Sequence, residues 1–173
     1  MNQDVSTDID ELKKNYVIDQ TTEIVSKQPY GVNFKTRQRY EPHREVIIKA
    51  IKIKKIQDNK DVVLKEIAAL FKVKNEALCE YMATYKDKKY IFLVREHPRG
   101  QSLIDKLIQE PEERLTEDKA RHYMRQLFQV IESVHRRGIV HRDIELQNVI
   151  ITEDDRIKLI DFGVAKATKK SEL

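Results

Sequence analysis

Short runs of β-branched and aromatic residues, separated by polar turns, fill the first half of the chain, and such runs predict β-strands. The longest run covers 45–53 and follows a turn marked by Pro42. Residues 61–73 change to a helical period, with apolar side chains on one stripe and Glu66 beside that stripe. We therefore expect one helix among several strands. The other predicted strands are 16–18, 23–25, 32–34, 78–85 and 90–94.

The second half of the chain has a mostly helical pattern. A Pro-Arg-Gly sequence within 97–101 interrupts the chain and indicates a linker. A short helix is predicted at 102–108 and a longer one at 116–137. Thr116 suits the N-cap of the longer helix, and Gly138 suits its C-terminal end. Two short strands joined by a polar loop, 149–151 and 157–160, then predict a hairpin.

This order of elements predicts an α+β fold with two lobes, because strands dominate one half and helices the other. We expect a flexible N-terminal segment at 1–15 and a β-rich lobe at 16–96. The linker at 97–101 would connect that lobe to a helical lobe at 102–173.

Composition narrows the classes of partner and compartment. The chain has 173 residues, of which 40% are hydrophobic and 36% are charged, and its net charge is +4. Its basic clusters lack interleaved aromatic residues, so we expect a solvated surface and no nucleic-acid partner. No run of 18 apolar residues occurs, so we expect no membrane span. Cys79 is the single cysteine, which favours a reducing compartment: the cytoplasm, with the nucleus as the alternative.

Polar side chains lie at the ends of the two strands of the predicted hairpin. Asp143 and Asn148 precede the first strand, and Asp161 follows the second. Because loops at strand ends present side chains to ligands, we expect these three residues to form one site. Oxygen atoms of Asp and Asn are hard ligands that suit magnesium, and a further Asp can accept a proton.

The sequences 141–150 and 159–163 closely resemble the catalytic loop and the magnesium-binding loop of protein kinases, and look most like those of serine/threonine kinases. The resemblance implies a protein-kinase-like fold, with a β-rich N-lobe that contains one αC-type helix and with the first, helical part of a C-lobe. It implies Mg²⁺ with ATP as the cofactor and a protein serine or threonine as the acceptor. Asp143 would be the catalytic base, and Asn148 and Asp161 would bind the metal.

The resemblance also covers the β-rich half. Lys49 looks like the lysine that binds the α- and β-phosphates, and Glu66, seventeen residues later, looks like the carboxylate that holds it. Lys52 is the alternative lysine, although its spacing of fourteen residues to Glu66 is short for the family. The resemblance assigns nucleotide contacts to Gly31, Lys49, Glu96, Ile150 and Asp161. It assigns a packed spine to Leu70, Tyr81, His141 and Phe162, in which His141 is a core histidine rather than an acid or base.

Several residues of the β-rich half depart from the kinase pattern. Only Gly31 remains of the glycine-rich loop, and the side chains of Ser26 and Gln28 would impede close approach of the backbone to phosphates. Asn33 replaces the valine that packs on adenine, and Ile47 replaces a small alanine and adds bulk there. We therefore expect weakened nucleotide binding.

Three further departures fall on the linker and the catalytic loop. Arg95 occupies the gatekeeper position, where a buried guanidinium needs a partner or must reach solvent. Pro98 has no N–H to donate to adenine. Glu145 stands where serine/threonine kinases carry a lysine that neutralises the transferring phosphoryl group. We expect phosphoryl transfer to be weak or absent as a result.

The sequence ends ten residues after Gly163, so we expect a partial C-lobe. Two functions remain open. One is a protein kinase that acts on a protein substrate, and the other is a truncated pseudokinase that binds a partner kinase or scaffold protein without catalysis. We expect the partial C-lobe to uncover apolar surface around Tyr123, Leu127, Phe128 and Ile131.

Overall fold

A computed structural model describes residues 9–19, 22–28, 31–56, 75–162 and 165–168. The chain divides into two compact units. Unit 1 comprises Met1–Ala68 and Glu80–His97, and unit 2 comprises Ala69–Cys79 and Pro98–Leu173. The predicted helix at 61–73, with Glu66 and Leu70, lies outside the described residues.

Unit 1 contains a five-stranded antiparallel sheet with the order β1-β2-β3-β5-β4. The central strand β3 is buried on both faces along much of its length, which explains its continuous run of Val and Ile. Strand β2 pairs with it in register from Gly31 opposite Ile51 to Arg37 opposite Glu45. The strands are β1 (Glu23–Gln28), β2 (Gly31–Arg37), β3 (Glu45–Lys52), β4 (Tyr81–Lys86) and β5 (Tyr90–Glu96).

A short helix, α1 (Ile9–Asn15), covers part of this sheet. Its Leu12 is 0% exposed and packs in one apolar cluster with Ile48 and Tyr85. The side-chain amide of Asn15 also donates to the Tyr85 hydroxyl over 3.1 Å. Buried Leu12, with partly buried Ile9, holds this mostly polar helix on the sheet, within the segment 1–15 for which the sequence predicted flexibility or loose helix.

The described residues of unit 2 form two helices and two small sheets. One sheet has the order β6-β8-β9, and the other pairs β7 with β10. Strands β8 and β9 form the predicted hairpin, with Val149 opposite Leu159. The elements are β6 (Gly100–Ser102), α2 (Leu103–Gln109), α3 (Glu117–His135), β7 (Ile139–Val140), β8 (Val149–Thr152), β9 (Ile157–Leu159) and β10 (Lys166–Ala167), with short 3-10 turns at Ile53–Lys55 in unit 1 and at Pro111–Glu113 and Leu146–Asn148 in unit 2.

The helix ends follow from their capping residues. Ser102 caps α2 by accepting from the Asp105 N–H, and Thr116 caps α3 by accepting from the Lys119 N–H. Gly138 follows α3 with φ at +72°, a conformation in which a side chain is strained. None of the helices in the described ranges is both long enough and apolar enough to cross a membrane.

Helix α3 buries one face against the hairpin. Tyr123 and Leu127 are only 3% and 7% exposed. The Tyr123 hydroxyl donates to Asp155 Oδ1 over 2.5 Å, which ties the helix to the loop between β8 and β9. The expectation that Tyr123 and Leu127 belong to an uncovered apolar surface is therefore wrong. Phe128, which the same expectation included, is 63% exposed.

Candidate active site

His141 organises the loop between β7 and β8. It is 1% exposed, and its ring packs edge-on against Phe162 with centroids 4.3 Å apart. The Asp143 N–H donates to Nδ1 over 3.3 Å, so Nε2 carries the proton and donates to the Ile160 carbonyl oxygen over 3.0 Å. Burial lowers the pKa of His141, which favours this neutral form. The expectation of a packed core histidine is confirmed.

Asn148 fixes the orientation of Asp143. Its Nδ2 donates to the Asp143 carbonyl oxygen over 3.0 Å and to Asp143 Oδ2 over 2.9 Å. Asn148 is 7% exposed, so both bonds lie in a largely dry environment where their geometry is held firmly. Because the amide nitrogen makes both bonds, the amide oxygen is not required for them. This arrangement brings together two of the three residues that the sequence placed in one site.

The third of these residues, Asp161, comes directly after Ile160 on the chain. The Ile160 N–H donates to the Asn148 carbonyl oxygen over 2.9 Å, which places Asp161 next to the residue that is bonded to Asn148. Asp161 is half-buried and has φ at +58°, a conformation that Asp tolerates better than most residues. Arg142 also has positive φ, at +67°. Such backbone conformations cluster at functional sites because the surrounding structure must enforce them.

These residues suit the magnesium ion that the kinase resemblance implies. Asn148 would supply an amide oxygen and Asp161 a carboxylate, which are the hard oxygen ligands that magnesium prefers. The ion would neutralise phosphate charge when bound. Within the described ranges there is no group of three or more His, Cys, Asp or Glu side chains that could form a different metal centre.

Two other residues that the sequence analysis singled out lie in this loop or on the strand that follows it. Ile150 lies on β8 and is half-buried, with Ser102 and Lys158 as its partners on the adjacent strands. Glu145 is exposed, and its Oε2 accepts from Gln147 Nε2 over 2.5 Å. Its carboxylate therefore remains at the surface of the loop that carries Asp143, where it would repel a phosphate.

In unit 1, Lys49 lies near the middle of β3, between Asn33 on β2 and Leu93 on β5. It is half-buried, whereas Lys52 is exposed at the end of the strand. Because side chains alternate along a strand, the two lysines lie on opposite faces of the sheet. This difference supports Lys49 over Lys52 as the phosphate-binding lysine. Its pairing with Glu66 stays a prediction, since Glu66 lies outside the described residues.

Gly31 is required by the sheet itself. A Cβ atom added there would lie 2.1 Å from the Ala50 carbonyl oxygen, which no side chain can accommodate. The close approach of β2 to β3 is therefore sufficient to explain this glycine, and its contact with a nucleotide stays a prediction. Pro29 and Tyr30 of the same loop, and the side chain of Gln28, are not among the parts described.

Asn33 is a buried polar residue on the same strand. It is 6% exposed, and its Nδ2 donates to Ser26 Oγ over 2.8 Å. Among the residues that the structure describes, its Oδ1 has no hydrogen-bond partner. The sequence identified the substitution at this position but not the unpaired oxygen, because that depends on which side chains surround the amide in the folded sheet.

Arg95 finds a partner in the main chain of the next residue. Its Nη1 donates to the Glu96 carbonyl oxygen over 3.3 Å, and the residue is half-buried. The Glu96 side chain accepts from the Glu80 N–H over 2.9 Å. The carbonyl of the predicted nucleotide-binding residue Glu96 thus accepts one hydrogen bond from Arg95, which the sequence alone did not indicate. Burial also lowers the pKa of the following residue, His97.

Comparison with known proteins identifies the family. The family model described as the protein kinase domain matches residues 29–173. The chain belongs to the protein kinase family. The family and the α+β fold that the catalytic-loop and magnesium-loop motifs predicted are therefore confirmed.

Individual kinases show how much of the chain is shared. It is 28% identical over 163 residues to the human NUAK family SNF1-like kinase 1, covering 93% of this chain and 24% of the relative. It is 34% identical over 125 residues to the maternal embryonic leucine zipper kinase of Xenopus laevis, covering 72% of this chain and 19% of the relative. This kinase chain thus spans about a quarter or less of the length of these two relatives.

A solved kinase structure shares the fold. The crystal structure of Rad53 residues 1–466 in complex with AMP-PNP matches with a TM-score of 0.77 and 26% sequence identity. The match covers 88% of this chain and 39% of the Rad53 chain.

Proposed function

We propose that this kinase domain binds ATP with Mg²⁺ and has weak or absent phosphoryl transfer to protein serine and threonine hydroxyls. The observation that supports nucleotide and metal binding most strongly is the double hydrogen bond from Asn148 Nδ2 to Asp143, with Asp161 following the residue bonded to Asn148. Two metal-ligand candidates and a candidate base are held in one loop system. The buried residue His141 holds these loops in place through hydrogen bonds with Asp143 and Ile160.

Each residue has a stated role in this proposal. Asp143 would orient the acceptor hydroxyl and take its proton, and Asn148 and Asp161 would hold the metal. Lys49, which is half-buried near the centre of β3, would bind the phosphates. The kinase relatives and the AMP-PNP complex of Rad53 support ATP as the ligand.

Three features support weak catalysis. Glu145 places a negative charge where a phosphoryl group would develop charge, and loss of one electrostatic stabiliser typically costs about 10²–10³ in rate. Pro98 has no N–H to donate to adenine. The Glu96 carbonyl oxygen already accepts from Arg95. These features also favour the second candidate function, a pseudokinase that acts as a non-catalytic binding module for a partner kinase or scaffold protein.

A thermal-shift titration with ATP, with and without magnesium, tests the proposal. A ligand that binds only the folded state raises its melting temperature by mass action. Asp161→Asn should abolish the magnesium-dependent part of the shift. Asparagine tolerates the positive φ at this position, so the backbone should be preserved. Asp118→Asn, at an exposed acid in the first turn of α3, is the matched control.

The outcomes separate the two candidate functions. A magnesium-dependent shift that Asp161→Asn removes and Asp118→Asn retains would support nucleotide binding, and a phosphotransfer assay would then measure turnover. A cooperative melt that ATP does not move, at any magnesium concentration, would refute nucleotide binding and favour the non-catalytic binding module.

A further inference from the structure

The buried amide of Asn33 combines one satisfied atom with one unsatisfied atom. The residue is 6% exposed, and Nδ2 is bonded to Ser26 Oγ at 2.8 Å, while Oδ1 has no partner in the described ranges of the chain. A buried polar atom without a hydrogen bond is destabilising, and native structures contain few of them. A ligand with a hydrogen-bond donor could satisfy this buried acceptor.

Strand register places this acceptor on the face of the sheet that carries Lys49. Ser26 on β1 lies opposite Asn33 on β2, which lies opposite Lys49 on β3. Directly opposed residues in antiparallel strands share a face, and their Cβ atoms lie roughly 5 Å apart. Ser26, Asn33 and Lys49 therefore form a row across three strands.

The described neighbours of Asn33 on that face do not satisfy its oxygen. Along β2, the residues two positions away are Gly31, which has no side chain, and Lys35, which forms an ion pair with Glu45 over 3.0 Å. Ser26 is engaged with the other atom of the same amide. In this structure Nδ2 is the amide atom turned toward Ser26 Oγ, and Oδ1 is the atom left without a partner in the described part of the chain.

We propose that Asn33 is a specificity-determining residue whose Oδ1 accepts a hydrogen bond from a donor group of the nucleoside. This inference rests on the proposed function, in which the face that carries Lys49 binds ATP. Two donors on ATP have the required chemistry: the exocyclic amine of adenine and the ribose hydroxyls. Ser26 is the positioning residue, because its hydroxyl accepts from Nδ2 in the orientation that leaves Oδ1 available.

The linker gives this role a physical reason. Proline at position 98 removes one donor to adenine, and the Glu96 carbonyl accepts from Arg95. Because the main chain lacks that donor and the Glu96 carbonyl shares its oxygen with Arg95, the acceptor that Asn33 provides would take a larger part in polar recognition of the nucleoside.

The test measures ATP affinity and unliganded stability in the same variants. Asn33→Leu keeps the shape of the side chain but removes the acceptor. We expect the affinity for ATP to fall about five- to tenfold while the melting temperature of the unliganded protein stays equal or rises. A purely structural role predicts the opposite: lower stability, and affinity changed only through unfolding.

Thr84→Val is the matched control. Thr84 Oγ1 is also buried, with no partner in the part of the chain that the structure describes. Register places Thr84 opposite Leu93, which lies opposite Lys49, on the same face of the sheet. Removing this hydroxyl should raise or preserve stability and leave ATP affinity unchanged. A loss of affinity as large as that of Asn33→Leu would overturn the assignment, since any buried polar atom would then suffice.

Nucleotide analogues identify the donor. Purine riboside triphosphate lacks the exocyclic amine, and 2′-deoxy-ATP and 3′-deoxy-ATP each lack one hydroxyl. The analogue without the relevant donor should bind the wild-type protein about as weakly as ATP binds Asn33→Leu, and its affinity should fall no further in that variant. If all three analogues are weakened by Asn33→Leu as much as ATP is, the proposed hydrogen bond is refuted.

Failure of this inference can be distinguished from failure of the proposed function. If wild-type protein binds ATP and Asn33→Leu binds it equally well, Asn33 has no role in recognition while nucleotide binding stands. If the well-folded wild-type protein binds neither ATP nor any analogue, both proposals fall.

Discussion

The hydrogen bond between Tyr123 and Asp155 gives a direct test of how unit 2 is held together. Tyr123 is 3% exposed, and its hydroxyl donates to Asp155 Oδ1 over 2.5 Å. This bond anchors α3 to the hairpin that is flanked by Asn148 and Asp161. Tyr123→Phe removes the hydroxyl and preserves the ring, so the change isolates the bond.

The expected loss in the free energy of unfolding is about 1.5 kcal/mol. Hydrogen bonds to charged groups contribute about 1.5–3 kcal/mol, and the lower end applies because Asp155 is mostly exposed to water. Urea denaturation followed by circular dichroism measures the difference. Tyr40→Phe, at a tyrosine that is 83% exposed, is the control and should leave stability unchanged.

The pH dependence of the same difference provides a second check. Burial, followed by the bond to Asp155, raises the pKa of Tyr123 to about 12, above its ordinary value of 10.0. Between these values the folded state retains a proton that the unfolded state has lost, so this contribution to wild-type stability falls as pH rises. The gap between wild type and Tyr123→Phe should therefore narrow above pH 10. An undiminished gap in that range, or no gap at pH 7, would refute the role assigned to this bond.

Three shorter predictions concern the candidate active site. Glu145→Lys should raise ATP affinity or turnover, since it replaces a repulsive charge beside the phosphates, and unchanged values in a binding and phosphotransfer assay would remove Glu145 from the explanation of weak catalysis. Arg95→Met removes the hydrogen bond to the Glu96 carbonyl and should tighten ATP binding about fivefold, as expected for a hydrogen bond of about 1 kcal/mol. An equal gain in ATP affinity from Arg125→Met, a control at the surface, would contradict this explanation. Burial lowers the pKa of His141, so the His141 ring is protonated in the unfolded state before it is protonated in the folded state as pH falls below about 6.5. The free energy of unfolding should therefore decrease in that range. An NMR titration in which His141 of the folded protein protonates at its ordinary pKa would contradict this prediction.

The sequence predicted the family and much of the unit architecture because local patterns determine them. The hairpin that follows Asn148 and the capping residue of α3 could be identified from a few adjacent positions. The buried role of His141 came from resemblance, and the structure supplies its physical basis in two hydrogen bonds and one ring contact.

Features that depend on long-range packing were not predictable in this way. The burial of Leu12 depends on a sheet formed by residues far along the chain, so its helix looked too polar to be ordered. The burial of Tyr123 required Asp155 on a loop thirty-two positions later. The bond from Arg95 to the Glu96 carbonyl depends on a side-chain conformation that no sequence pattern encodes.

The packing of α1 has a practical consequence for expression. The kinase family model begins at residue 29, after both α1 and the edge strand β1. A clone that starts there would lose Leu12 and leave Ile48 and Val94, each at most 2% exposed in the intact unit, without their cover. Such a protein should aggregate on purification even though it contains every kinase motif. Expression boundaries should therefore begin before Ile9, and a cleavable tag is best placed ahead of that helix.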